Sequence, residues 1–175
     1  MAKATSTSIN RQKEIISAAI EVFAEMGYYR ATTAKVAERA NISQPYVFRF
    51  FATKEALLIE ALKVSFARII NSFHQVIHSA SSEQLEQELI AAYSQIMMDY
   101  RNEILLQMQA QTIREDVIVS VMQQGFREIH TTVYNAFRQA DIEHAMEKTM
   151  LFLARGMLCN ISMSLDLPEL MKIDD

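Results

Sequence analysis

Residues 27–55 read GYYRATTAKVAERANISQPYVFRFFATKE, and this stretch contains the signals that decide the fold. Asn41 tolerates the left-handed backbone that a three-residue turn between two helices requires. Ser43 is a preferred residue at a helix start, and Pro45 falls in the first helical turn, where its missing N–H does no harm. The stretch therefore predicts two short helices joined by a tight turn, a helix-turn-helix, at 34–40 and 44–51.

A longer helix precedes this motif. Apolar residues recur at helical spacing from Asn10, a residue suited to a helix start, to Met26, and Gly27 then supplies a left-handed end. Residues 28–33 are rich in aromatic and β-branched side chains, so we expect a connector there. Thr33 at its end is expected to cap the second helix.

Helical signals continue beyond the motif. Thr53 is expected to cap a long fourth helix, 54–78, which no Gly or Pro interrupts. Further helical stretches follow at 83–100, 103–113, 115–139 and 142–166, and Pro168 closes the last one. With only three Gly and two Pro in 175 residues, and no alternating strand pattern, the predicted fold class is all-α.

Composition and charge narrow the class of protein. Half of the residues are apolar and 22% are charged, which excludes a disordered chain, and a single Cys favours a reducing, cytoplasmic location. Residues 150–161 are apolar but too few to cross a membrane. Residues 1–70 hold ten Lys and Arg against six Glu, whereas the remainder holds seven basic and fifteen acidic residues. The front half is thus the part suited to a polyanion, although such a surplus is common on any solvated surface.

The third helix presents an unusual outer face. At 100° per residue, Val47 and Phe51 share one bearing and should pack inward. Pro45 and Arg49 then point away from the core, with Tyr46 and Phe48 beside them. An isolated surface helix seldom exposes such a face, and the major groove of DNA admits one helix.

Individual residues suggest roles in such a contact. Arg49 suits a guanine edge or a phosphate, and Gln44 suits adenine. Ser43, Thr33 and the backbone N–H of Lys54 lie at helix N-termini, where a phosphate is favoured. The alternative is that Ser43 and Thr33 only cap helices and that Arg49 is solvated.

Residues 27–58 resemble the DNA-binding segment of the TetR (tetracycline-repressor-like) family of bacterial transcription regulators. The likeness lies in the Thr before the second helix, the Ala-x-x-Ala spacing, the turn Ser, the Phe50-Phe51 pair and the Lys-Glu start of the fourth helix. The resemblance implies a helix-turn-helix DNA-binding domain over 1–53. It also implies a helical effector-binding and dimerisation domain over 54–175, which pairs through its last two helices.

Two residues depart from the family pattern. Asn41 stands where Gly is usual, and its tolerance of the left-handed region accommodates the change. Phe48 and Phe50 stand where the family tends to have Tyr or His donating to phosphates. Phenylalanine cannot donate a hydrogen bond, so we expect Phe48 to contact a thymine methyl and Tyr46 to supply a hydroxyl.

The acidic rear half offers a dimer face and pocket candidates. Apolar residues in 150–161 occupy more than one helical face, so a partner subunit is the economical cover for one of them. Eleven Met residues suit an adaptable apolar cavity, although an ordinary core is the commoner use. The candidate ligand-binding residues are Phe66, Ile70, Phe73, Tyr93, Met97, Met108, Gln111, Met122 and Phe126.

Few residues in the sequence suggest metal binding or catalysis. His74 and His78 lie one helical turn apart, but a zinc site needs at least three protein ligands, so no metal or cofactor is expected. Cys159 reads as a small core residue. No nucleophile, base and orienting group occur at workable spacing, which argues against an enzyme.

The favoured function is a ligand-responsive repressor that binds a palindromic operator as a homodimer and is released by a small, largely apolar effector. One alternative is a helical DNA-binding regulator that senses no small molecule, and a weaker one is a helical small-molecule carrier. An enclosed cavity of at least about 300 Å³ in the rear half would favour ligand sensing.

Overall fold

The computed structural model describes the backbone of residues 2–171 and the side chains of residues 8–171. Over this range the chain contains helices and no strand, which confirms the all-α class. In chain order the helices are α1 (Ala2–Arg30), α2 (Thr33–Arg39), α3 (Gln44–Phe48), α4 (Lys54–Ser79), α5 (Leu85–Asp99), α6 (Arg101–Ala110), α7 (Asp116–Gln139) and α8 (Ala145–Leu165), followed by a 3₁₀ turn at Pro168–Met171.

The first three helices pack around one apolar centre. Phe23 of α1, Val36 of α2 and Val47 of α3 are all fully buried within it. Asn41 adopts the left-handed conformation expected of the turn, with φ at 52°. Arg39 joins α2 to α1 because its guanidinium pairs with the Glu25 carboxylate at 2.6 Å. The turn and the helices on either side are therefore held as one platform.

Several boundaries in this region differ from prediction. α1 begins at Ala2 rather than near Asn10, and its long first part ends at Gly27 as predicted, followed by a short helical segment to Arg30. Gly27 does bend the helix, with φ 74° and ψ 159°. Helical bonding nevertheless resumes, since the Ala31 N–H donates to the Gly27 carbonyl at 3.0 Å, so the predicted connector is wrong for 28–30.

Helix α4 is the central element of the fold. Thr53 caps it as predicted, because the Thr53 hydroxyl accepts the Ala56 N–H at 2.9 Å. Along its length α4 packs against α1, α5, α6 and α7. The residues it buries are Leu57, Leu58, Ala61, Leu62, Ser65, Phe66, Ile69, Ile70 and Phe73.

A buried polar chain joins α4 to α6. Glu103 is buried and forms an ion pair with Arg68, which satisfies its charge. The Gln107 amide donates to the Ser65 hydroxyl at 2.7 Å, and that hydroxyl donates to the Glu103 carbonyl at 3.1 Å. Because each buried group has a partner, this contact fixes the register of the two helices.

The rear helices start and end within three residues of their predicted bounds. The stretch predicted at 103–113 is shifted, since α6 spans Arg101–Ala110. Helix α8 ends at Leu165 because Asp166 turns left-handed, with φ at 51°, and Pro168 then opens the 3₁₀ turn.

Helix α8 has a buried and an exposed apolar face. Phe152 and Cys159 are buried, as expected of a core cysteine. The exposed face of α8 carries Met150, Leu151, Leu158, Ile161 and Leu165. Within the described residues, no helix is both long enough and apolar enough to cross a bilayer.

Candidate functional site

Helix α3 projects one face away from the protein. Val47 is buried and Phe51, just beyond the helix, is 3% exposed, so these two hold the inner side as predicted. Pro45 and Arg49 are exposed, and Phe48 is 47% exposed. Helix α3 ends at Phe48 rather than at Phe51, which leaves Arg49 at its C-terminal cap.

The start of α3 is tied to α2. Ser43 occupies the cap position, but its side chain makes no capping hydrogen bond. Gln44 is exposed, and its amide nitrogen donates to the Thr33 hydroxyl at 2.8 Å. Thr33 is itself buried, and the cap of α2 is Thr32, whose hydroxyl accepts the Lys35 N–H at 3.2 Å. The prediction that Thr33 caps α2 is therefore wrong by one residue.

Aromatic and cationic side chains are stacked along α3. The rings of Tyr46 and Phe50 meet edge to face, with centroids 5.4 Å apart. The Arg49 guanidinium carbon lies 5.2 Å from the Tyr46 ring centroid, within the range of a cation–π contact. Tyr46 is half-buried, so it holds Arg49 at the surface and orients it.

The Lys54 ammonium lies against the end of α1. It donates to the Tyr28 carbonyl at 2.8 Å and to the Ala31 carbonyl at 3.1 Å, and it lies 4.4 Å from the Tyr28 ring centroid. Its side chain is thus engaged within the protein. The Lys54 backbone N–H, in the first turn of α4, has no partner within that helix.

Tyr28 is not among the site residues predicted from the sequence. Burial raises the pKa of its hydroxyl, and the nearby carboxylates of Glu115 and Glu55 raise that pKa further. Glu115 lies just before α7, so the start of α7 lies close to the end of α1. The sequence did contain a signal for this contact: Tyr28 directly follows the helix-ending Gly27, and Lys54 begins the next long helix.

The rear half contains a cavity of about 360 Å³. Helices α4 to α8 all contribute to its wall. Its volume exceeds the minimum of about 300 Å³ expected of a ligand pocket. Most of its lining is apolar, including Ile69, Phe73, Phe126, Ile129, Phe152 and Leu153. Polar groups are few and consist of Tyr93, Gln107, Arg127, His130 and Asn160.

Tyr93 and Asn160 form a polar end in this cavity. The Tyr93 hydroxyl donates to the Asn160 side-chain oxygen at 2.7 Å. Burial raises the pKa of Tyr93 to about 12, so the phenol remains protonated at neutral pH. This end of the cavity therefore offers neutral hydrogen-bonding groups rather than a charge.

The predicted ligand residues are distributed over three places. Phe73, Tyr93 and Phe126 line the cavity. Gln111 and Met122 line a neighbouring surface groove, which Phe126 also borders. The lining of neither space includes Phe66, Ile70, Met97 or Met108. Phe66 instead packs against Phe126, with ring centroids 5.4 Å apart.

The predicted histidine pair, His74 and His78, lies near the C-terminal end of α4. The rings of His74 and His78 have centroids 6.3 Å apart, and the His78 Nδ1 lies 2.5 Å from the His74 carbonyl oxygen. Among the described residues no three His, Cys, Asp or Glu side chains are grouped in a way that suits a metal ion.

Comparisons with known proteins agree with the helix-turn-helix geometry. Residues 15–61 match the family model of bacterial regulatory proteins, tetR family. The chain is 28% identical over 98 residues to the fatty acid metabolism regulator protein of Bacillus subtilis, covering 55% of this chain and 50% of that protein. It is 33% identical over 67 residues to the HTH-type transcriptional regulator HbdR of Aromatoleum sp., covering 38% and 28%. These alignments span half or less of each relative's length.

Solved structures share the fold over most of the chain. The fatty acid degradation regulator FadR from Bacillus halodurans aligns with a TM-score of 0.75 at 16% identity, covering 88% of each chain. FadR from Bacillus subtilis, solved in complex with stearoyl-CoA, aligns with a TM-score of 0.70 at 18% identity, covering 93% of this chain and 90% of that one. Residues 15–61, which contain the helix-turn-helix, thus match the tetR family of bacterial regulatory proteins, and the helical architecture of the whole chain is shared with these solved regulators.

Proposed function

We propose that this protein is a DNA-binding repressor that binds a palindromic operator as a homodimer and is released by a small, largely apolar effector. The observation that carries the proposal is the position of α4. Its first residue, Lys54, is bonded to the end of α1 beside the helix-turn-helix, and Ile69 and Phe73 farther along it line the cavity. At 1.5 Å per residue, about 22 Å of continuous helix joins Lys54 to Ile69.

The DNA contact is assigned to α3 and its flanks. We place Pro45, Tyr46, Phe48 and Arg49 in the major groove, with Arg49 on a guanine edge and Phe48 on a thymine methyl. The free oxygen of the Gln44 amide accepts from adenine N6, since its nitrogen already donates to Thr33. DNA phosphates contact the Ser43 hydroxyl, which makes no capping hydrogen bond within the protein. They also contact the start of α2 at Thr33 and the backbone N–H of Lys54.

The dimer is assigned to the exposed apolar face of α8. Leu151, Leu158, Ile161 and Leu165 recur there at intervals of three, four or seven residues, which is the spacing of one helical stripe. The exposed side of α7 is mainly polar, so α8 contributes the apolar part of the interface. A two-fold dimer requires half-sites about 34–36 Å apart on the operator.

The effector class follows from the cavity and the relatives. An apolar wall with a neutral polar end suits an uncharged hydrocarbon chain. The FadR relatives are named for fatty acid metabolism, and one was solved with stearoyl-CoA. We therefore propose a long-chain acyl compound as effector. It releases DNA to the extent that it binds the DNA-incompatible arrangement of α4 more tightly than the DNA-bound one.

The first experiment selects duplexes from a random library with the full-length chain and then measures affinity for the selected site. Arg49→Ala should weaken that affinity about tenfold or more and change binding to unrelated duplexes less, because a base contact is lost. Arg101→Ala, at an exposed arginine of the rear half, is the control. Failure to select any sequence, or an unchanged Arg49→Ala, contradicts the proposal.

The second experiment adds palmitate or palmitoyl-CoA to the protein–operator complex. Release of the operator supports the proposed effector class. If neither compound releases DNA from a protein that still binds its operator, the effector proposal is wrong and a regulator without small-molecule sensing of this class is favoured.

A further inference from the structure

The two helices of the helix-turn-helix are joined at their first residues by a side-chain hydrogen bond. Thr33 is the first residue of α2 and Gln44 is the first residue of α3. The Gln44 amide nitrogen donates to the Thr33 hydroxyl at 2.8 Å, across eleven positions of sequence. This bond lies at the N-terminal end of α3, the end from which a recognition helix contacts base edges.

The hydroxyl in this bond is held within the protein, whereas the amide that it holds is exposed. Thr33 is buried, and Val36 and Ala37 one turn later in α2 belong to the core. The turn is bonded back to α2 as well, since the Ile42 N–H donates to the Ala37 carbonyl at 3.0 Å. Gln44, by contrast, is exposed. A fixed hydroxyl therefore restrains a side chain that would otherwise sample many rotamers in solvent.

The hydrogen bond determines which groups of the Gln44 amide remain available. A primary amide has one oxygen and two N–H groups, and Thr33 accepts from one of these N–H groups. The oxygen and the second N–H then remain as an acceptor and a donor. In the major groove adenine presents N6–H as a donor and N7 as an acceptor, whereas guanine presents two acceptors, N7 and O6. An amide held in this orientation pairs with adenine and places its oxygen against an acceptor of guanine.

We infer that Thr33 is a positioning residue whose hydroxyl makes Gln44 selective for adenine over guanine. This inference rests on the proposed function and assigns the source of specificity at one base pair of each half-site. Without the Thr33 hydroxyl, the Gln44 amide is free to turn over and to donate to guanine as well. The expected consequence of losing that hydroxyl is a loss of discrimination between A·T and G·C at this pair.

The test measures the affinity of the full-length protein for its selected operator and for operators changed at single base pairs in both half-sites. The pair read by Gln44 is identified as the one at which Gln44→Ala loses its base preference. There the unaltered protein should favour A·T over G·C by about tenfold or more per half-site. Thr33→Val keeps the shape of the side chain but removes the hydroxyl, and it should reduce this preference to about threefold or less. Thr33→Ser keeps the hydroxyl and should keep the preference.

A double-mutant cycle separates positioning from a merely structural role. In the Gln44→Ala background, Thr33→Val should change the preference at this pair by less than about twofold, because the group that it orients is absent. Thr149→Val is the matched control. Thr149 is buried in α8, and its hydroxyl donates to the Ala145 carbonyl at 2.7 Å. This control should leave the preference unchanged.

The outcomes distinguish this inference from the proposed function. If the unaltered protein selects no sequence, the proposed function is wrong and the role of Thr33 is wrong with it. If a sequence is selected but Thr33→Val keeps the full preference, or weakens binding to both operators equally, only the positioning role is overturned. The inference also fails if Gln44→Ala loses preference at no pair, or at a pair other than A·T.

Discussion

At the scale of single residues, hydrogen bonds within the protein occupy several polar groups that would otherwise be free to contact DNA. Lys54 carries a positive charge next to the helix-turn-helix, yet its ammonium is held by the Tyr28 and Ala31 carbonyls. Thr33 has a hydroxyl at a helix start, yet that hydroxyl is buried under Gln44. Residue type alone therefore overstates what is free to meet a ligand, and hydrogen-bond partners decide it.

Lys54→Met tests the internal role of the ammonium. It keeps the apolar stem but leaves two carbonyls at the end of α1 without their donor, which should lower the free energy of unfolding by about 1–3 kcal/mol. Chemical denaturation measures this. Lys63→Met, at an exposed lysine in the same helix, is the control. Equal stability of both variants would show that the α1 contact contributes little.

Tyr93 gives a pH-dependent prediction. Its folded pKa of about 12 exceeds the unfolded value near 10, so the stability it contributes is complete below pH 10 and is lost as pH rises toward 12. The stability of the unaltered protein relative to Tyr93→Phe should therefore fall by about 1 kcal/mol between pH 9 and pH 11. Urea unfolding at both pH values measures it, with exposed Tyr29→Phe as the matched control.

At the scale of elements, α1 and α6 are joined at the bend in α1. The Gln109 amide of α6 donates to the Ala24 carbonyl at 2.6 Å, one turn before Gly27. A Cβ added to Gly27 would lie 3.1 Å from the Gln109 side-chain oxygen. Because Gln107 in the same helix lines the cavity, α6 touches both the effector space and the end of α1.

Gly27→Ala should destabilise the protein by about 1–3 kcal/mol, since φ 74° with ψ 159° is a conformation almost confined to glycine. Thermal or urea unfolding measures the loss. Gly156→Ala is the matched control because Gly156 lies within α8, where an added Cβ meets the Tyr93 ring at an ordinary 3.4 Å. If the two variants lost equal stability, the backbone conformation at Gly27 would not be the cause.

At the scale of the whole molecule, one apolar surface remains open. Of the large apolar side chains exposed in the described residues, six lie on α8: Met146, Met150, Leu151, Leu158, Ile161 and Leu165. A contiguous exposed stripe of this kind is typical of an interaction surface. Its position at the end of the molecule formed by the rear helices fits a partner subunit that pairs through α8.

Leu158→Glu should therefore yield a monomer at micromolar concentration, because a charge would be buried without a partner in the dimer. Sedimentation or light scattering measures the mass, and operator affinity should fall in parallel. Met98→Glu alters a similarly exposed residue on α5, outside the stripe, and should leave the mass unchanged. A dimeric Leu158→Glu would place the interface elsewhere.

The all-α class, the helix-turn-helix and the outward face of α3 follow from local sequence patterns alone. These depend on interactions between residues at most a few positions apart: the left-handed Asn41, the Thr53 cap and the spacing of Val47 and Phe51. Boundaries such as the end of α1 were less well determined, because one hydrogen bond after Gly27 restarts the helix.

Which side chains share a space depends instead on how the helices pack. The cavity brings together residues from five helices, and Phe73, Tyr93 and Phe126 reach it while Phe66, Met97 and Met108 do not. The same holds for the Lys54 ammonium, which meets the Tyr28 carbonyl at the end of α1. The physical reason is that periodicity gives the buried face of each helix, whereas the rotation and crossing of packed helices set which of those faces meet.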